Sequence, residues 1–152
     1  MSESPLELAR AALASQAWAE ALDHLRPLLT EPDPTLAHQA TRLIAQVPHP
    51  LSVSALVGAL DHSEAPIRLT AAEGLAQLGD RSALDPLLQA LDDPEPAVRQ
   101  QVVTTLKALD AEAARAQITE LLSWERLPDQ LRLGLTEALA GWEESGTVEV
   151  QS

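Results

Sequence analysis

Apolar residues recur along this chain at the spacing of a single helical face. Over 96–109, Val98, Val102, Val103, Leu106 and Leu109 form one stripe, the 3.6-residue period of an amphipathic helix. Strand-like alternation appears nowhere over a comparable length. The stripe also repeats along the chain. At an offset of 31 residues, Leu56, Ala59, Leu60, Asp61, Arg68, Leu75 and Leu78 fall on Leu87, Ala90, Leu91, Asp92, Arg99, Leu106 and Leu109. The same offset backwards sets Leu25, Leu29, Leu36, Ala40, Ile44 and Val47 on Leu56, Leu60, Ile67, Ala71, Leu75 and Leu78. Forwards, Ile118 and Leu122 match Leu87 and Leu91. The register then slips by two, so that Leu131, Arg132, Leu139 and Trp142 match Val98, Arg99, Leu106 and Leu109. A two-residue insertion near Arg126 to Pro128, where a turn is expected, accounts for the slip. A period of this length signals stacked supersecondary units.

Each unit is punctuated as two helices. Ser82 is placed to accept bonds from the free N–H groups of a first turn, and Pro86 falls early enough to cost little of the ladder. Asp92-Asp93-Pro94-Glu95-Pro96 breaks that helix, and Pro96 is suited to open the next. Gly79 reads as a C-terminal cap. The chain is therefore expected to be all-α.

Composition narrows the class further. The chain has 152 residues, no Cys, no Phe, no Tyr and three Trp. The core must be built from Leu, Ala, Val and Ile, which suits closely packed helices. Without Cys there is no disulfide framework and no thiolate chemistry. Ten basic against 23 acidic residues give a net charge of −13, which opposes nucleic acid and anionic lipid. The N-terminal residues lack a basic run followed by an unbroken apolar stretch, and no window approaches the ~20 apolar residues of a membrane span. The expected compartment is the cytoplasm.

Leu-Asp-Asp-Pro-Glu-Pro-Ala-Val-Arg (91–99) and Gly-Leu-Ala-Gln-Leu-Gly-Asp-Arg-Ser-Ala (74–83) resemble HEAT repeats of the short kind also found in phycobilisome-lyase proteins. The resemblance covers roughly 33–142. It implies a right-handed α-solenoid of about four to five stacked hairpins, first helices outside and second helices lining the inner face. Residues 4–31 are expected to form an N-terminal capping hairpin joined near Ser15-Gln16, and Ala17 to Leu22 loosely resemble a tetratricopeptide hairpin. Residues 4–142 would then make one domain, followed by a flexible tail over 143–152.

Candidate chemistry is sparse. His24, His38, His49 and His62 include no pair at the i, i+3 or i+4 spacing of metal ligands on a helix. The di-iron hydroxylases of the resembled family carry His-Glu dipeptides, and this chain has none. No metal and no cofactor are expected, and the histidines are read as surface residues. The resemblance implies that Asp61, Asp92 and Asp93 pair with Arg68 and Arg99 as a ladder between turn and helix, with Arg132 at an altered last rung. No serine lies in a nucleophile elbow and no glycine loop cradles phosphate, so the chain is expected not to be an enzyme. Trp18 and Trp142 are expected in the core, whereas Trp124, at a helix end beside Glu125, is a candidate contact residue.

With Ile67, Ala71, Leu75 and Leu78 buried, the opposite face of the second helices can be enumerated. One row is His38, Leu69, Gln100 and Leu133; a second is Gln39, Thr70, Gln101 and Gly134; a third is Arg42, Glu73, Thr104 and Glu137, with Gln46, Gln77 and Lys107 nearby. The expected protein-binding residues are His38, Gln39, Arg42, Leu69, Thr70, Glu73, Gln100, Gln101, Thr104, Lys107 and Trp124. The function they imply is a non-catalytic scaffold or adaptor, a small subunit or assembly factor that binds another protein or peptide. Neither nucleic acid nor membrane is an expected partner, and a homo-oligomer is compatible with the sequence. The alternative is an accessory subunit of a bilin-lyase-like or cofactor-insertion enzyme.

Overall fold

The computed structural model describes residues 4–150, with side chains through Trp142, and no strand occurs among the described residues. Helices α1 (Pro5–Ala14) and α2 (Trp18–Leu25) are followed by a 3-10 turn (Arg26–Thr30), α3 (Pro34–Ile44), α4 (Pro50–Ala59) and α5 (Ala65–Leu78). A second 3-10 turn (Arg81–Ala83) leads into α6 (Leu84–Gln89), a third (Ala90–Asp92), α7 (Pro96–Leu122) and α8 (Asp129–Val150). Chain contacts divide after Asp80 into two compact units.

The punctuation follows local chemistry. Pro opens α1, α3, α4, α5 and α7 at the first or second helical position, where the missing N–H is not needed. Ser4 and Glu7 form a reciprocal capping box. Gly79 ends α5 with φ 67°, in the left-handed region that glycine tolerates. Gln16 takes the same region, φ 61°, in the α1–α2 turn. Ser82 does not cap α6 as expected: it lies inside the 3-10 turn, and α6 starts two residues later. Within α7, Asp110 is extended (φ −169°, ψ 90°). Its carboxylate accepts from the Ala113 N–H at 3.1 Å and pairs with Arg81. Asp110 thus ends the helix over 96–109 and caps the one that follows it.

The core repeats as the offset predicts. Ala21, Ser52, Ala83 and Ala114 share one repeat position and all have 0% exposure; Leu25, Leu56, Leu87 and Ile118 share the next and are also at 0%. In the second helices Ala40, Ala71, Val102 and Leu135 are buried at one position, and Ile44, Leu75 and Leu106 at another. Each large side chain so buried contributes about 1.5–3 kcal/mol. Val103, Leu78 and Leu109 are only partly buried. The fold class is all-α, the stacked-hairpin class of a helical solenoid.

At the N-terminus, α2 packs on α1 and also on α3, which its 3-10 turn contacts as well. It is therefore both part of the expected cap and the first helix of a repeat. Trp18 and Trp142 are partly buried. The backbone of α8 runs through most of the segment expected to be a tail (143–152); the side chains there, and residues 151–152, lie outside the described residues.

Candidate functional site

What orients the second helices is one arginine contact made three times. Arg68 donates to the His62 carbonyl at 2.8 Å, Arg99 to the Asp93 carbonyl at 2.8 Å, and Arg132 to the Trp124 carbonyl at 2.6 Å. Residues 62, 93 and 124 are 31 apart, so the contact survives the two-residue insertion before Arg132. Arg68 also reaches the Ser63 carbonyl, and Arg132 the Leu122 carbonyl. The acceptor common to all three rungs is a main-chain carbonyl, a contact that the expected Asp–Arg ladder did not include. Such charge-assisted bonds satisfy turn carbonyls that the helices leave free. The Asp93 carboxylate, itself buried, accepts from the Glu95 N–H at 2.9 Å and so shapes the same turn.

In the first unit, α3 and α5 bring most of the predicted face together. His38, Arg42, Leu69, Thr70 and Glu73, with Gln46 and Gln77, line a groove of about 440 Å3. Gln39 lines an adjoining hollow together with His38 and Arg42. The Thr70 hydroxyl donates to the Pro66 carbonyl at 2.9 Å and lies 3.5 Å from His38 Nε2 across the groove. Arg42 and Glu73 are exposed, and neither side chain makes an ion pair or hydrogen bond with a described residue.

In the second unit the predicted residues have local partners. Gln101 donates to the Thr105 hydroxyl at 3.2 Å, and the Thr104 hydroxyl donates to the Gln100 carbonyl at 3.1 Å. Lys107 stands over the Trp142 ring, 5.0 Å from its centre, a cation–π contact. Glu137 accepts from Arg99 Nε and Nη2 at 3.1 and 3.2 Å. Gly134, expected on this face, is buried: a Cβ there would lie 1.7 Å from the Leu91 carbonyl oxygen. The backbone of α8 approaches the turn too closely for any side chain. Leu133 and Trp124 are 55% and 54% exposed.

Two histidines do more than the surface role expected of them. His49 Nδ1 accepts from the Leu51 N–H and caps α4. His62 Nδ1 accepts from the Glu64 N–H at 3.0 Å, which leaves Nε2–H to donate to the Leu29 carbonyl at 3.1 Å. The ring thereby ties the turn after α4 to the turn after α2. The signal was available in the sequence, because His62 sits one repeat before Asp93. Among the described residues, no three His, Asp or Glu side chains converge, and the residues present do not fit a di-iron centre.

The family model for HEAT repeats matches residues 22–87 and 55–140. The chain belongs to the HEAT-repeat family. It is a helical-repeat chain whose relatives include proteins named for an enzyme and for bilin biosynthesis. It is 35% identical over 88 residues to the bilin biosynthesis protein PecE of Mastigocladus laminosus, covering 57% of this chain and 33% of that protein. It is 33% identical over 96 residues to a deoxyhypusine hydroxylase of Aspergillus niger, covering 61% and 28%. With the Aspergillus clavatus deoxyhypusine hydroxylase it shares 34% over 112 residues, covering 72% and 31%. The chain thus spans about a third or less of these relatives. The expectation that it is not an enzyme is corrected by these matches, since the hydroxylases are enzymes. No helix among the described residues is long and apolar enough to cross a membrane.

Proposed function

We propose that this HEAT-repeat chain is the protein-recognition part of an enzyme or of the machinery that assembles one, a cytoplasmic small subunit or assembly factor. It holds a protein or peptide client through its second-helix faces, with His38, Gln39, Arg42, Leu69, Thr70 and Glu73 as the principal contacts. Gln100, Gln101, Thr104, Lys107 and the exposed Trp124 are secondary ones. The observation that carries this reading is the α3/α5 groove, where an unpaired cation and an unpaired anion stand with amides and the apolar Leu69. Such a surface is suited to read both the charges and the main chain of a peptide.

A photo-crosslinking residue at Gln39, expressed in the source cell, tests it. One adduct partner is expected, lost when Arg42→Glu and Glu73→Lys reverse the charges. An adduct indifferent to that reversal, or none at all, overturns the reading. The match to PecE supports a second possibility, that the client is a protein awaiting a bilin. Bilin added to the client with this chain would then leave a visible absorption band that stays with the client through denaturing chromatography; no retained band, or the same band without this chain, overturns it.

A further inference from the structure

Residues 43–60 contain no Asp, Glu, Lys or Arg, although 22% of the chain is charged. Helix α4 lies inside this run, yet one side of it faces solvent. Leu51, Ser54 and Gly58 are exposed and Ala55 is partly buried, at the i, i+3, i+4, i+7 spacing of one helical face. The other first helices all carry charge, with Glu20 and Asp23 in α2, Asp85 in α6, and Glu112, Arg115 and Glu120 in α7. The solvent side of a helix ordinarily carries charged or polar residues, and this one offers only Leu51, Ala55, a serine and a glycine. Beside this face runs a groove of about 680 Å3, lined by Ser54 and Gly58 of α4, by Asp23, Arg26 and Leu29, and by Asp61. A Cβ at Gly58 would meet nothing within 4 Å, so the floor is open.

We infer that the α4 groove docks an amphipathic helix of a partner protein whose apolar stripe is flanked by Lys or Arg. The small residues let a helix backbone approach closely. Asp23 and Asp61 are exposed, and their carboxylates make no ion pair or hydrogen bond with a described residue. With Arg26 as the lone cation, the rim is net acidic. The chain as a whole carries −13, which draws in a cationic helix and repels a second copy. This surface is separate from the α3/α5 groove, and its failure would leave that reading untouched.

The probe is a fluorescent synthetic amphipathic helix of Leu and Lys, titrated against the full chain by anisotropy. A scrambled peptide of the same composition and a Leu/Glu counterpart serve as controls. The Leu/Lys helix binds, and the two controls bind far more weakly. Gly58→Gln fills the groove without changing charge and weakens binding about tenfold or more, because a polar side chain is pressed into the apolar contact. Its thermal melt stays at or above that of the parent, because Gln is the better helix former. Asp23→Asn with Asp61→Asn keeps the shape, weakens binding several-fold, and flattens its dependence on salt. Equal binding by the scrambled peptide, or by Gly58→Gln, overturns the inference. So does sedimentation showing a dimer of the parent chain that Gly58→Gln breaks, which would make the occupant a second copy.

Discussion

The α3/α5 pair and the α7/α8 pair carry the same repeat positions and use them differently. At buried positions they agree: Ala71 and Val102, then Leu75 and Leu106, lie in the core of their own units. At the solvent positions they diverge. Arg42 and Glu73 stand free beside a groove, whereas Glu137 is held by Arg99 and Lys107 by the Trp142 ring. The difference teaches that the repeat copies its core and its turn clamps, because any hairpin must bury a stripe and satisfy its carbonyls. Nothing in the stacking demands that the outer rows match. They make internal contacts in one unit and leave Arg42 and Glu73 unpaired in the other.

The largest effect tests the half of this comparison that says alike. Leu75→Ala and Leu106→Ala each remove a side chain at most 1% exposed and should cost roughly 2–5 kcal/mol by leaving a cavity. Urea titration followed by circular dichroism measures both. The two losses should agree to within about 1 kcal/mol, since the context of a cavity sets its cost. A large loss at one leucine and none at the other would mean that the two units do not share a core plan.

Two glycines sharpen the point next. Both lie inside helices, where Gly→Ala gains about 1 kcal/mol from propensity alone. Gly58→Ala should show that gain, as its Cβ meets open space. Gly134→Ala should instead lose about 1–3 kcal/mol, because the new methyl collides with the Leu91 main chain and α8 must move. Opposite signs in the thermal melts are the expected result; a gain at both would deny the close approach of α8.

These sites also mark where the sequence was readable and where it was not. Leu25, Leu56, Leu87 and Ile118 were predictable because a 31-residue period is a statement about which positions share an environment. The face of α3 and α5 followed from the same arithmetic. Gly134 escaped it, because periodicity carries no information about how closely two backbones approach; the isolated glycine in a helical pattern was the hint. The arginine rungs were seen as far as the arginines went. Their carbonyl acceptors were not foreseen, because every residue has a carbonyl, and only the turn geometry selects those of His62, Asp93 and Trp124. The charge-free run over 43–60 is plain in the sequence, but its meaning needs the knowledge that part of α4 lies open.

A smaller effect comes from a position where one repeat departs from its neighbours. Ser52 stands where Ala21, Ala83 and Ala114 stand, fully buried, and its hydroxyl has no hydrogen-bond partner. Ser52→Ala should therefore stabilise the first unit by about 1 kcal/mol, since it removes an unsatisfied group and improves helix propensity. A higher urea midpoint with an unchanged slope is the expected reading. Destabilisation would mean that the hydroxyl has a partner and that the position is not equivalent across repeats.

The smallest effect decides the other half of the comparison. If the outer row of α7 is tied into its own unit, Gln101→Ala should cost about 0.5–1 kcal/mol for the bond to Thr105. If the outer row of α3 is free, Arg42→Ala should change stability by no more than about 0.5 kcal/mol, while the client adduct at Gln39 is weakened. Stability and binding then separate by unit: the α7 variant is felt in the melt, the α3 variant in the crosslink. Equal and measurable stability losses would show that Arg42 serves the fold, and the α3/α5 groove would lose its claim to be the recognition surface.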